Sequence, residues 1–317
     1  MYLPFIHPPF LKAQSHSRMG LKSLSIEDWI VLGSDFCAQL AEKQQLLQHH
    51  YDDVFVAQDS TQAAQQEVLS LLVDHLLQRF PGVYKSIGEG EGASGIRNLN
   101  TQEALRYADF AHAPLDLAGR LVAEDLCLMM PAESEYCLAA ASVCFPQQWT
   151  LREKFGKPMS HIHSPVPDYS DMLARPVGHV FSRLRESFPG VRFNWSVVDS
   201  PALYMGEHGP KRRLLGEVTA DSAGHSLWLR VERQTIRRLP VSGGVLFTIR
   251  TFVYPLSQVV EVPDAAKQLE IAVRSLTEEM QVYKNLLPFR TALLDYLRAK
   301  SLARTSRSAV MSYRPLG

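Results

Sequence analysis

Apolar positions recur at three- and four-residue spacing through much of the first third of the chain, the period of a helix with one buried face. The stretch SIEDWIVLGSDFCAQLAEKQQLLQ, residues 25–48, predicts a helix with Ser25 as N-cap, Glu27 and Asp28 in the first turn, and Ile26, Trp29 and Ile30 facing inward. The stretch 63–80 predicts a second, with Val68, Leu71, Leu72 and Leu76 on one face and a stop at Pro81-Gly82. The stretch PLDLAGRLVAEDLCLMM, 114–130, predicts a third.

The period then changes. YCLAAASVCFP, 136–146, reads as a short buried strand. VRFNWSVV (191–198), SLWLRVERQTI (226–236) and GVLFTIRTFVY (244–254) carry the β-branched and aromatic residues of strands. A helical pattern over 169–187, interrupted by Pro176, separates the first two strands, and helical spacing returns over 264–286 and 289–300. Clustered strands without regular crossover helices predict an α+β fold with an antiparallel sheet. The reading is one domain over 1–317, with a mainly helical part to 130, a sheet-rich core over 131–260 and C-terminal helices from 261.

Alternation also assigns faces. On the strand from Leu227, it places Leu229, Val231 and Arg233 on one side and Trp228, Arg230, Glu232 and Gln234 on the other. A charged face on a strand among apolar neighbours is either solvated or lines a polar pocket.

The composition narrows the classes. Thirty-three basic residues balance thirty-three acidic ones, which leaves no electrostatic footprint for nucleic acid. The runs Lys211-Arg212-Arg213 and Arg237-Arg238 read as solvated turns. The four cysteines, Cys37, Cys127, Cys137 and Cys144, have no Cys-x-x-Cys spacing, so no zinc or iron–sulfur site is expected from them. The N-terminus is apolar but broken by Pro4, Pro8 and Pro9, unlike a signal peptide. No apolar run reaches the roughly 18 residues of a membrane span. A cytoplasmic protein is expected.

Three motifs bear on chemistry. Gly90-x-Gly92-x-x-Gly95 has the letters of a dinucleotide fingerprint, but Glu89 and Glu91 would repel a pyrophosphate and no apolar helix follows. No Gly-x-Ser-x-Gly elbow is present, which argues against an α/β-hydrolase-type serine nucleophile. In SHIHSPVP, 160–167, two histidines stand two residues apart before two prolines. On an extended segment both would face one side, with Asp168 as a possible third ligand to iron or zinc. One of them could instead ligate haem iron, or the segment could be a surface loop.

Six ordered segments, RMGLKSL, AEDLCLMMP, VCFPQQW, GKPMSHIHSPVP, FNWSV and LRVERQTIRRLPVSGGVLFTIRTFVYPL, resemble the haem-dependent oxidative N-demethylase family, from about Met19 to about Lys284. The resemblance implies a PAS-like antiparallel sheet with surrounding helices and helical N- and C-terminal extensions. It implies haem b held by one histidine of HIHSPVP, with His163 the better match to Ile-His-x-Pro-Val-Pro and His161 the reserve. It further implies a small secondary amine such as dimethylamine as substrate, O₂ as oxidant, and a flavin and iron–sulfur reductase on a partner chain drawing on NADPH. Arg230 and Glu232, with Arg233 if a bulge turns it, are then the candidates for polarising O₂ and holding an ammonium group. Two rival readings are a haem sensor or carrier without turnover, and a non-haem metal protein using His161, His163 and Asp168.

Overall fold

The computed structural model describes residues 20–88, 94–133, 135–167, 184, 189–206 and 218–311. Among these residues the strands are β1 (Lys22–Ser23), β2 (Phe55–Ala57), β3 (Tyr84–Ile87), β4 (Gly95–Asn98), β5 (Ala104–Arg106), β6 (Asp125–Pro131), β7 (Tyr136–Ser142), β8 (Gly190–Val198), β9 (Trp228–Arg238) and β10 (Val245–Pro255). Seven form one antiparallel sheet in the order β1-β8-β9-β10-β6-β7-β2, and β3-β4-β5 form a small second sheet. With the helices, this is the α+β fold that the pattern predicted.

The long pairings set the geometry of everything else. β9 and β10 pair from Trp228↔Pro255 to Arg238↔Val245, and β8 pairs with β9 from Gly190↔Ile236 to Val198↔Trp228. Neither pairing contains a bulge, so directly opposed residues share a face along the whole ribbon.

One face is packed twice over. Near β6 it carries Leu126, Leu128, Ala140 and Leu246, buried against the helices Phe36–His49 and Gln62–Arg79. Toward β8 it carries Trp195, Val197, Leu229, Val231, Phe252 and Tyr254, buried against the C-terminal helices Ala265–Arg274 and Arg290–Met311. The opposite face holds a smaller apolar cluster of Cys127, Met129, Ala141, Ile236 and Val245.

Long-range contacts override local period in three places. The helix predicted from Ser25 is a single 3-10 turn, Ile26–Asp28, and the α-helix starts only at Phe36. Trp29 and Ile30 are buried in the core, the Val31 amide donates to Glu124 Oε1 at 3.0 Å, and Asp35 pairs with Arg250 at 2.7 Å. These tertiary bonds hold 29–35 off the helical path. The helix predicted over 114–130 ends at Leu121, and 125–131 becomes β6, paired on both edges by β10 and β7. Asp125 anchors that turn by accepting from the amides of Cys144 (2.8 Å) and Phe145 (2.9 Å). The first 130 residues therefore contribute β1–β5 and most of β6 as well as helices.

The second helix is as expected, Gln62–Arg79, with Val68, Leu72 and Leu76 fully buried, although Leu71 is only half-buried. The spacing 264–286 is two helices, Ala265–Arg274 and Glu278–Tyr283, the second capped by Thr277, whose hydroxyl accepts from the Met280 amide at 3.3 Å. Gly90, Gly92 and, apart from residue 184, the helical pattern over 169–187 lie outside the described residues. Gly95 opens β4, where a Cβ would meet the Leu105 carbonyl oxygen at 2.2 Å. Its glycine serves close strand approach. Arg237 is in β9 and stacks on Trp29 with its guanidinium carbon 4.5 Å from the ring centre, so it is not in a solvated turn; Lys211–Arg213 lie outside the described residues. No helix among the described residues is long and apolar enough to cross a membrane.

Candidate functional site

The second sheet face carries a polar strip. Arg192, Asn194 and Ser196 on β8 oppose Gln234, Glu232 and Arg230 on β9, which in turn oppose Ile249, Thr251 and Val253 on β10. Alternation along β9 thus places Arg230, Glu232 and Gln234 together, as the sequence predicted. Beside them Phe247 and Ile249, on a central strand, remain half-buried.

Glu232 is the hub of the strip. Its side chain is 12% exposed. Oε2 accepts from Gln234 Nε2 at 3.0 Å and Asn194 Nδ2 at 3.3 Å, while Oε1 lies 3.9 Å from Arg230 Nε. Two amides hold one oxygen and leave the carboxylate oriented along the strip.

Lys284 closes the strip from the C-terminal end of the helix Glu278–Tyr283. Its buried ammonium donates to the Trp195 carbonyl at 2.6 Å and to Asn194 Oδ1 at 3.3 Å, and sits 5.3 Å from the Trp195 ring centre. Burial pushes its pKa down to about 8, with Glu232 opposing and Arg192 adding to the shift.

The arginines divide by what their donors do. Arg230 is 1% exposed and spends both terminal nitrogens on backbone: Nη1 on the carbonyls of Leu203 (3.0 Å) and Ala202 (3.3 Å), Nη2 on that of Phe145 (2.6 Å). It stitches two loops to β9, with Nε turned to Glu232. Arg233 is on the opposite face, because no bulge intervenes; it donates to the carbonyls of Trp29 (3.1 Å) and Asp28. The structure does not bring Arg233 together with Arg230 and Glu232, which corrects its grouping with them. Arg192 joins the strip through the alternation of VRFNWSV, which puts Arg192, Asn194 and Ser196 on one side.

The histidine motif forms a helical turn, Met159–Ile162, with His163 at its C-terminal cap. The extended geometry that would point both imidazoles one way is absent: His161 is exposed and His163 half-buried. Residues two apart on a helical turn diverge by more than a right angle. His163 Nδ1 lies 3.0 Å from the Met159 carbonyl oxygen. A carbonyl can only accept, so Nδ1 carries the proton and the lone pair sits on Nε2. Burial lowers the pKa of His163, with the Met159 hydrogen bond opposing and Arg192 and Lys154 adding to the shift, which on balance favours the neutral form. Around it Met159, Ile162 and Val166 pack onto the apolar cluster of Met129, Ile236 and Val245, with Phe247 alongside.

This donor set is of the kind that fits a haem: one imidazole whose other nitrogen is fixed by a carbonyl, beside an apolar cluster. Among the described residues no group of three His, Cys, Asp or Glu side chains could hold a metal ion. Asp168, the third ligand of the non-haem reading, lies outside the described residues.

A family model described as haem-dependent oxidative N-demethylase, alpha subunit-like, matches residues 20–294. The chain belongs to this family. Haem dependence and oxidative N-demethylation are thus the family's general chemistry, and the alpha-subunit designation is that of a multi-subunit enzyme. Every residue of the strip, and the His163 turn, falls inside the matched range of this N-demethylase family.

Proposed function

We propose that this N-demethylase family member binds haem b through His163 and oxidatively demethylates a small secondary amine such as dimethylamine held by Glu232. The observation that carries the reading is the Met159 carbonyl at His163 Nδ1, which places the proton on that nitrogen, so that Nε2 would be the atom to hold the haem iron. The strand order supports a PAS-like sheet: of the five long strands β6–β10, the first lies between the second and the fifth. Bound haem supplies the oxidation of an N-methyl group by O₂, which consumes two electrons and two protons and releases formaldehyde and water.

The chain's own residues then have separable tasks. His163, kept neutral, holds the cofactor. Glu232 Oε1 accepts from the ammonium N–H, since Oε2 is engaged by Gln234 and Asn194. Arg230 Nε lies 3.9 Å from Oε1 and helps to aim that oxygen along the strip. Electrons come from a flavin and iron–sulfur reductase on a partner chain, because nicotinamide yields hydride pairs that need a one-electron relay to reach iron.

The test is to load the protein with haem, confirm an intense Soret band, and follow formaldehyde from dimethylamine with NADPH. Formaldehyde should appear only after a competent reductase is added. A Soret band without formaldehyde under those conditions would turn the reading to a haem sensor or carrier, and no haem uptake would sink both.

A further inference from the structure

Three cations, Arg192, Arg230 and Lys284, gather about the single carboxylate of Glu232, and its charge acts on each of them. Asp125 and Glu42 also act on Arg230, but both are pushed toward their neutral forms by burial, and Asp125 shares Lys43 at 3.9 Å. Among the described residues these three cations therefore face one close carboxylate, and uncompensated charge away from water is costly.

The least compensated of the three is Arg192. Arg230, Arg233 and Arg250 spend their terminal nitrogens on backbone carbonyls, on Gln39 or on Asp35. Lys284 has the Trp195 carbonyl and Asn194. Arg192 has neither a carbonyl nor an ion pair within 4 Å among the described residues, and its Nε is buried without a hydrogen-bond partner. It opposes Gln234 on the strip that carries Glu232, and its charge reaches His163.

We propose that Arg192 is a carboxylate-holding residue of this site, gripping an acid group carried in by a ligand. A guanidinium fork matches a carboxylate bidentately. Two sources share that chemistry: a propionate of the haem, or the acid group of an N-methylated amino acid whose ammonium rests on Glu232. The inference builds on the proposed haem and amine site and separates from it in the test.

The measurements are haem transfer to apomyoglobin, and equilibrium binding of N,N-dimethylglycine and dimethylammonium, in wild type and Arg192→Gln. If the propionate is the partner, haem leaves the variant about tenfold faster or more, and amine selectivity is unchanged. If the substrate is the partner, haem is retained, dimethylglycine binds about tenfold more weakly or worse, and dimethylammonium binding is unchanged. Arg192→Lys should recover part of either effect. Should Arg192→Gln not fold, wild type alone decides, with haem dimethyl ester in place of haem and dimethylglycine methyl ester in place of the acid. Esterification should reproduce the matching loss. Unchanged haem transfer together with unchanged dimethylglycine affinity overturns the proposal. Loss of dimethylammonium binding in Glu232→Gln beside such a result would leave the amine site standing and remove only Arg192's role.

Discussion

His163 Nδ1 donates to the carbonyl oxygen of Met159, four residues earlier, at 3.0 Å. A turn that makes this bond chooses the tautomer and the aim of the ring, and it does so for His163 alone, since His161 is turned to solvent.

His163→Ala should therefore abolish stable haem retention or change the ligand spectrum, whereas His161→Ala should leave both near wild type. Absorption spectra of the two reconstituted variants check this. Equal haem spectra for wild type and His163→Ala would remove His163 as the ligand.

Glu232→Gln should keep haem and fold but weaken dimethylammonium binding by about tenfold or more, the size of a charge-assisted hydrogen bond. The measurement is an amine titration followed in the Soret region. Unaltered affinity would mean that the ammonium sits elsewhere.

Arg230→Leu should act chiefly on stability. Three carbonyls, of Phe145, Ala202 and Leu203, would lose their donor in a buried setting. A loss of roughly 2–5 kcal/mol is expected for breaking such a buried charged network. Denaturant unfolding measures it. A loss below about 0.5 kcal/mol, the scale of an uninvolved surface residue, would show that these bonds contribute little.

Lys284 makes stability depend on pH. Its folded pKa, about 8, lies below its ordinary value, so in the alkaline range the unfolded chain binds the extra proton. Stability carried by this group is least below about pH 8 and rises as pH climbs toward the unfolded pKa. Lys284→Met should flatten that rise. Thermal melts of both proteins from neutral to alkaline pH provide the comparison. An equal slope in the two would assign it to another group.

The sequence by itself determined the parts whose signal is local. Two-residue alternation is a property of a strand's own backbone, so β8, β9 and β10 and the shared face of Arg230, Glu232 and Gln234 were legible from the letters, as was the helix Gln62–Arg79 ahead of Pro81-Gly82. Only the tertiary structure decided what those side chains do there. Arg230 and Glu232 share a face, but carbonyls 27 and 85 residues away make Arg230 largely a brace, while Glu232 takes hydrogen bonds from Asn194 and Gln234 through Oε2. The same holds for the break at 29–35, set by Glu124 and Arg250, and for Lys284, whose partners lie 89 and 90 residues earlier. His161 and His163 are equivalent as spacing. A helical turn separates them, and that turn is held by packing against strands that the motif does not contain.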